Sequence, residues 1–404
     1  MIKRVFLSML FCSAVIFVSC ASSSDNKGLS ESEISKNPVS TEAAVVNKET
    51  RDFIPDSSNV KFLGRSYYDG KVLFMAYSAT GAEFNVKAKR LDITLFGDSA
   101  ATRSTDENSA RIAVFVNGER KLDEMIKQSY QSFTVFDGTE TVDALVQVLK
   151  ISESAQSLAG LRTITTDKDG IITPAEDRPC KIEFIGDSIT CGYGVDDENR
   201  NNHFKTSTED GTKTYAYKTA ANLNADYSMV SISGWGIVSG YSGNGVKQVN
   251  SQLPKYYDKL GFSWGNTLGG VNPRNVDWDF SKFVPDFVVI NLGTNDASYT
   301  KGDPDKIAEY KTGYVEFLKD IRSKNPAAHI ICSLGIMGQD LCQAVEAAAE
   351  AYKNETGDEK ISVLKFNVQS SADGIAADWH PTEKTHAKAA AKLTAKIKEL
   401  NKGL

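Results

Sequence analysis

The pattern of apolar residues changes once along the chain, and this change constrains the fold more than any other feature. Before about residue 178, apolar and polar residues alternate in short runs, as in residues 82–88 and 91–95. After residue 180, short continuous apolar runs are separated by segments of helical character. Alternation is typical of strands with one buried face, whereas continuous runs between helices are typical of parallel strands covered on both faces. The sequence therefore predicts an all-β segment followed by an α/β segment.

The 404 residues are enough for two domains, and we place them at 58–178 and 179–404. In the first, several short strand patterns and an Asn117-Gly118 hairpin signal predict a β-sandwich. In the second, four apolar runs predict parallel strands at residues 182–185, 287–292, 330–334 and 363–366. Helical segments are predicted at residues 306–324, 341–352 and 382–400.

The amino terminus has the features of an export signal. Lys3 and Arg4 precede an apolar stretch at residues 5–18, which ends in small residues around Cys20. Because Phe17-Val18-Ser19-Cys20 resembles a bacterial lipobox, residues 1–20 are interpreted as a lipoprotein signal peptide with Cys20 as the lipidated residue. The alternatives are a plain signal peptide and an uncleaved anchor. Residues 21–57, polar and without apolar periodicity, are interpreted as a flexible linker.

Charge and cysteine content bear on whether the chain binds nucleic acid, a membrane surface or a metal ion. A net charge of -6 with scattered basic residues gives no reason to expect nucleic acid, and the lipid anchor is the single expected membrane contact. Two of the six cysteines lie in the export signal, and the other four are Cys180, Cys191, Cys332 and Cys342. Their spacing is typical neither of a disulfide framework nor of a metal site. We therefore predict no metal and no organic cofactor, and leave the cysteine pairing open.

Three breaks follow apolar runs of the predicted parallel sheet. They are Gly186-Asp187-Ser188, Ser233-Gly234 and Gly293-Thr294-Asn295-Asp296. In an open α/β sheet the active site lies at the carboxyl ends of the strands. A serine presented at such a tight turn is a candidate nucleophile, because nearby backbone N–H groups can bind the developing oxyanion.

A serine nucleophile needs a base, and four histidines are present. His203 lies in a polar loop, His329 precedes a strand and His386 falls within the last predicted helix. His380 lies in Asp378-Trp379-His380-Pro381, which the proline keeps out of a helix. His380 is therefore the best candidate, with Asp378 two residues earlier as a carboxylate that could orient it.

In order along the chain, these motifs resemble the four sequence blocks of the SGNH (GDSL-like) hydrolases, carried here by Ser188, Gly234, Asn295 and His380. The resemblance implies a flavodoxin-like parallel sheet with Ser188 as nucleophile and His380 as general base. It also implies an oxyanion hole formed by the N–H groups of Ser188 and Gly234 and the side-chain amide of Asn295.

The Asp-x-His-Pro ending, the Ser-Gly-x-Gly second block and the preceding β-domain are similar to carbohydrate esterase family two. That resemblance implies a jelly-roll sandwich before the SGNH domain. It leaves two alternatives open. Gly236 could donate to the oxyanion instead of Gly234, and a backbone carbonyl could orient His380 instead of the Asp378 carboxylate.

Together with the export signal, the resemblance to carbohydrate esterase family two implies an exported serine esterase, anchored at the periplasmic face or cell surface. It would remove O-acetyl groups from a plant polysaccharide such as xylan or glucomannan. Its partners would be the acetylated oligo- or polysaccharide and, through the anchor, the membrane. Two alternatives remain: an SGNH hydrolase acting on acyl lipids or thioesters, and a non-catalytic glycan-binding lipoprotein.

Overall fold

A computed structural model of the chain describes residues 49–102 and 108–403, which belong to one compact unit. The predicted signal peptide, Cys20 and most of the predicted linker lie outside the described residues. Across the described part of the chain, the helices lack the length and apolar character that a membrane crossing requires.

The first part of the chain forms an antiparallel sheet of ten strands. The strands are β1 (Thr50–Phe53), β2 (Lys61–Leu63), β3 (Ser66–Tyr68), β4 (Leu73–Met75), β5 (Thr80–Gly97), β6 (Arg111–Val116), β7 (Glu119–Met125), β8 (Tyr130–Lys150), β9 (Ala159–Asp167) and β10 (Ile171–Pro174). Their main order is β3-β4-β9-β5-β8-β6-β7, with β1 on β9 and both β2 and β10 on β5. The predicted all-β region is confirmed.

Two details of this sheet concern the sequence predictions. Asn117 and Gly118 have φ of 50° and 80° and connect β6 to β7, as the hairpin signal predicts. The predicted end of the linker at residue 57 is wrong, because Thr50–Phe53 pairs with β9 from Thr50↔Asp167 to Phe53↔Ile164. This strand is polar and mostly exposed, so it lacks the apolar alternation by which a strand is recognised.

The second part forms a parallel sheet of five strands: β11 (Cys180–Gly186), β12 (Ala225–Ser231), β13 (Phe287–Asn291), β14 (His329–Leu334) and β15 (Ile361–Lys365). The order β12-β11-β13-β14-β15 is the 2-1-3-4-5 order of flavodoxin-like folds. Residues of β11, β12, β13 and β14 are almost all buried, whereas those of β15, at one edge of the sheet, are mostly half-buried. The predicted fold class is confirmed.

Helices cover both faces of the parallel sheet. They are α1 (Ser188–Cys191), α2 (Tyr215–Asn222), α3 (Thr294–Thr300), α4 (Pro304–Lys324), α5 (Cys342–Thr356) and α6 (Glu383–Leu400). Side chains of α4 and α5 pack on one face of the sheet, and those of α2 and α6 on the other. Covering both faces leaves the ends of the strands as the accessible part of this domain.

Candidate active site

The four predicted sequence blocks meet at one end of the parallel sheet. Ser188 follows β11, Gly234 follows β12 and Asn295 follows β13, while His380 lies in the loop between β15 and α6. The order of strands reverses beside β11, because the next strand along the chain, β12, lies on one side and β13 on the other. Ligands of open α/β sheets bind in the crevice at such a switch point.

Ser188 is presented by a sharp turn between β11 and α1. The Asp187 side chain caps this short helix by accepting the N–H of Ile189 at 3.1 Å. Gly186 permits the turn, since a Cβ there would lie 2.0 Å from Oγ1 of Thr190. Ser188 is only 7% exposed, so its hydroxyl is largely shielded from bulk water.

His380 is in place to act as the base for Ser188. Its Nε2 lies 2.8 Å from Ser188 Oγ, and its Nδ1 lies 3.2 Å from each of the carbonyl oxygens of Ala377 and Asp378. A carbonyl oxygen only accepts, so Nδ1 carries the proton and Nε2 accepts from the serine hydroxyl. Burial lowers the pKa of His380 to about 4, which keeps the ring neutral near pH 7 and its Nε2 available to take a proton.

The Asp378 carboxylate does not orient this ring, contrary to its predicted place in a triad. It accepts hydrogen bonds from Tyr193 Oη at 2.8 Å and from the N–H of Phe204 at 3.0 Å, and it lies 2.9 Å from His203 Nδ1. Although burial acts in the opposite direction, these bonds hold the pKa of Asp378 below its usual value. The physical reason lies in the backbone: φ is 47° at Asp378 and 67° at Trp379, a strained conformation for residues other than glycine.

The second block decides between the two candidate glycines. The N–H of Gly236 donates to the carbonyl of Ser251 at 3.1 Å, so it is already occupied. The N–H of Gly234 has no acceptor among the described residues. Gly234 has φ of 79°, and a Cβ built there would meet no atom within 4 Å, so the residue borders open space. Gly234 is therefore the better placed donor.

Asn295 lies in the site, buried to 6% exposure, but its amide nitrogen has two protein acceptors. Nδ2 donates to the carbonyl of Trp235 at 2.8 Å and to Oδ2 of Asp187 at 3.3 Å. An amide nitrogen carries two hydrogens, so the longer bond must open before Asn295 can bind an oxyanion. Its oxyanion role stays a prediction.

Two carboxylates in the predicted motifs have structural partners that sequence reasoning did not assign. Asp296 is fully buried and accepts the N–H groups of Ile237, Val238 and Ser239 at 2.8 to 3.0 Å. Burial raises the pKa of Asp296 to about 6 and that of Asp187 to about 7. For Asp187, the position between a strand end and a helix start was the signal for its capping role. No local signal indicates the bonds of Asp296, because they join it to residues far away in the chain.

Tyr193 is a further residue that the sequence patterns did not indicate. Its ring stacks on His380 with centroids 4.0 Å apart and an interplanar angle of 21°. The Asp378 carboxylate fixes the tyrosine hydroxyl, so Asp378 reaches the histidine through this ring as well as through its own carbonyl. No local motif marks Tyr193, because the contact joins residues far apart in the chain.

One group of side chains has the composition of a metal site. Ligand atoms of Glu153, Cys191 and Glu209, all buried, lie within 4.8 Å of one another. The Lys150 ammonium donates to the carbonyl of Glu153 at 2.8 Å and is fully buried beside the group. The carboxylates already have protein donors, since Glu209 Oε2 accepts the N–H of Glu153 and Glu153 Oε2 accepts the N–H of Ser233, and we assign no metal to them. All four cysteines of the described residues are buried and free of disulfides.

Known proteins resemble this chain over both of its sheets. The family model of GDSL-like lipases and acylhydrolases matches residues 184–388. The cellulase/esterase CelE of Acetivibrio thermocellus is 38% identical over 222 residues, 54% of this chain and 25% of that protein. An acetylxylan esterase/glucomannan deacetylase of Cellvibrio japonicus is 26% identical over 358 residues, 87% of this chain and 91% of that protein. The chain thus spans a quarter of one relative and nearly all of the other.

Among solved structures, a family two carbohydrate esterase from Clostridium thermocellum, in complex with cellohexaose, is 27% identical with a TM-score of 0.73. The likeness covers 85% of this chain and all of that one, so it includes the antiparallel region as well as the parallel sheet. It confirms the resemblance to carbohydrate esterase family two. The family model covers half of the chain, including Ser188 and His380, and the protein therefore belongs to the GDSL-like lipase/acylhydrolase family.

Proposed function

We propose that the protein is a serine esterase that removes O-acetyl groups from a carbohydrate through an acetyl-Ser188 intermediate. The observation that carries this proposal is the 2.8 Å contact between Ser188 Oγ and His380 Nε2, with Nδ1 held by two carbonyl oxygens. This arrangement supplies a nucleophile and its base without a carboxylate partner.

The reaction has two steps. His380 Nε2 takes the hydroxyl proton while Ser188 Oγ forms a bond to the acetyl carbon, and the negative charge moves to the acetyl oxygen. His380 then gives the proton to the sugar oxygen as that C–O bond breaks. Water, deprotonated by His380, attacks the acetyl-serine and releases acetate in the same manner. The N–H groups of Ser188 and Gly234, with the Asn295 amide, stabilise the oxyanion in both steps.

The substrate class is supported by the relatives and by exposed aromatic side chains near the site. Trp379 precedes the catalytic histidine and is 54% exposed, and Trp264 is 55% exposed. Flat apolar rings of this kind suit the faces of sugar rings. Trp235 has a different role, since it is 1% exposed and packs against Tyr256, Phe262 and Trp264. We infer an acetylated plant polysaccharide such as xylan or glucomannan as the substrate.

Hydrolysis of p-nitrophenyl acetate, of longer p-nitrophenyl esters and of acetylated xylan and glucomannan tests this function. We expect acetate release from the polysaccharides and a preference for the acetyl over the longer esters. The Ser188→Ala and His380→Ala variants should lose roughly 10³–10⁶-fold in kcat while remaining folded. Preference for long acyl chains would instead favour a lipid or thioester hydrolase. Glycan binding without turnover would favour the non-catalytic alternative.

We also propose that the chain is exported and anchored to a membrane, at the periplasmic face or the cell surface, through a lipid on Cys20. The order of charged, apolar and small residues at 1–20 supports export, and the lipobox-like motif supports the anchor. Mass spectrometry of the membrane fraction should find a mature chain that begins at a lipidated Cys20. A soluble chain with a different first residue would overturn the anchor but not the esterase.

A further inference from the structure

A buried carboxylate from the β-rich part of the chain reaches the second block of the active site. Glu153 lies between β8 and β9, is 0% exposed, and its Oε2 accepts the N–H of Ser233 at 2.9 Å. Ser233 directly precedes Gly234, whose N–H is the proposed oxyanion donor. The two residues in contact are 80 positions apart in the chain.

The peptide that carries the Gly234 N–H lies between two peptides with fixed orientations. On one side, Glu153 holds the N–H of Ser233. On the other side, the carbonyl of Gly234 accepts the N–H of Tyr241 at 2.8 Å. Between them, the N–H of the Ser233–Gly234 peptide makes no hydrogen bond to a described residue. The direction of this N–H therefore depends on the two neighbouring peptides. Glycine at φ of 79° is flexible, which makes an external restraint more important here.

The backbone of Glu153 is itself firmly held. Its N–H donates to Oε2 of Glu209 at 2.7 Å, and its carbonyl accepts from the Lys150 ammonium at 2.8 Å. Burial raises the pKa of both carboxyl groups, and the buried Lys150 and the Cys191 thiol complete the titratable surroundings of Glu153. The side chain has a second contact, because the Cys191 thiol donates at 3.8 Å to Oε2 of Glu153, the oxygen that accepts the N–H of Ser233. A side chain restrained at its backbone and at its acceptor oxygen can transmit its own position to a hydrogen-bond donor.

We propose that Glu153 is a positioning residue of the oxyanion hole, which aims the Gly234 N–H by accepting the hydrogen bond of Ser233. This inference rests on the proposed esterase function. It also means that the all-β part of the chain contributes to the rate of the chemical step and not merely to substrate contacts.

Three substitutions of Glu153 distinguish the effect of its acceptor oxygen on kcat from the effect of its negative charge. Glu153→Gln keeps an acceptor oxygen at the same reach and removes the charge, so kcat on p-nitrophenyl acetate should stay within about threefold of wild type. Glu153→Asp keeps the charge but withdraws the acceptor by one methylene, and kcat should fall about tenfold. Glu153→Ala removes both, and kcat should fall about 10–100-fold, less than the roughly 10²–10³ for deleting an oxyanion donor. KM and the acidic limb of the pH profile should not change.

The matched control is Asp98→Ala. Asp98 is also a buried carboxylate of the β-rich part, and it accepts the N–H of Leu158 at 2.7 Å in the loop that carries Glu153. This variant should lose stability and keep its kcat. Equal losses of kcat in Asp98→Ala and Glu153→Ala, or wild-type kcat in Glu153→Asp and Glu153→Ala, would overturn the proposal.

Amide hydrogen exchange provides a test that does not require turnover. In Glu153→Asp and Glu153→Ala, exchange at residues 232–241 should accelerate, while it stays at the wild-type rate in Glu153→Gln and Asp98→Ala. Unchanged exchange at these residues in Glu153→Asp would overturn the positioning role. A wild-type protein that is inactive on all esters would overturn the esterase function instead, and the exchange result would still decide the role of Glu153.

Discussion

At His380, the carbonyl oxygens of Ala377 and Asp378 occupy the place that a carboxylate has in a Ser-His-Asp triad. A carbonyl fixes the tautomer and orientation of the ring, but it carries no full charge to stabilise the imidazolium. The ring of Tyr193 adds a flat contact on one side of the histidine. The residue that sequence reasoning placed as the acid of the triad thus acts through its backbone and through a neighbouring tyrosine.

Substitution of Asp378 distinguishes these roles. Asp378→Asn keeps the backbone carbonyl and an acceptor for Tyr193, so kcat should fall about tenfold or less. Removal of the carboxylate from a working triad costs about 10⁴-fold. The control His203→Ala removes an exposed partner of the same carboxylate and should leave kcat unchanged. A loss near 10⁴-fold in Asp378→Asn would restore Asp378 to the triad.

The pH dependence of kcat/KM reports the ionisation of His380. Burial lowers its pKa to about 4, and the neutral ring is the base, so activity should be lost as the pH falls through about 4 and be retained between pH 5.5 and 7. Asp187→Asn is the control, because the pKa of Asp187 is raised to about 7 and this substitution removes that ionisation. An acidic limb at pH 6 to 7 that persists in Asp187→Asn would contradict the lowered pKa of His380.

Among the elements, the loop after β12 depends on a carboxylate from the helix after β13. Asp296, in the first turn of α3, accepts three consecutive N–H groups of the segment that follows Gly236. Such a cluster of donors stabilises a buried carboxylate and compensates part of its desolvation. The second and third sequence blocks are therefore joined by hydrogen bonds at the switch point of the sheet.

The Asp296→Ala variant tests this junction. Three buried N–H groups lose their acceptor at about 1–3 kcal/mol each, so the free energy of unfolding should fall by at least about 3 kcal/mol in urea titrations. The control is Asp303→Ala, which removes the exposed cap of α4 and should cost about 1 kcal/mol. Equal losses in the two variants would show that the three bonds of Asp296 contribute no more stability than a single exposed helix cap.

At the scale of the whole molecule, the two sheets are joined by buried charged contacts. Arg65 lies between β2 and β3, is 0% exposed, and reaches Glu183 on β11 with an N···O distance of 3.2 Å. Its guanidinium also donates to the carbonyls of Tyr257 and Lys259. The sequence places a domain boundary near residue 178, and the chain does leave the antiparallel sheet at Pro174 and enter the parallel sheet at Cys180. We propose that the two domains nevertheless fold as one cooperative unit.

Removal of the Arg65 side chain should lower the free energy of unfolding of both sheets together. Arg65→Ala leaves Glu183 buried without its cation, and breaking such a pair costs about 3–5 kcal/mol. Arg90→Ala, which breaks two partly exposed ion pairs within the antiparallel sheet, should cost about 1 kcal/mol or less. Urea unfolding followed by near-ultraviolet circular dichroism and by intrinsic fluorescence should give a single transition in both variants. Two separate transitions, with the parallel sheet unaffected by Arg65→Ala, would contradict the single unit.

Local patterns in the sequence were sufficient for the order of the two sheets, the Asn117-Gly118 hairpin, the parallel strands and the candidate pair Ser188 and His380. Each of these depends on residues close together in the chain or on motifs with fixed places at strand ends. The polar strand β1 and the direction of the Asp378 carboxylate could not be obtained in this way. The contacts of Tyr193 and Glu153 could not be predicted either, because their partners are far away in the chain. Tyr193 contacts His380, which lies 187 positions later, and Glu153 contacts Ser233, which lies 80 positions later. Only the tertiary structure decides such pairings, because hydrogen bonds and stacking depend on distance in space and leave no period in the sequence.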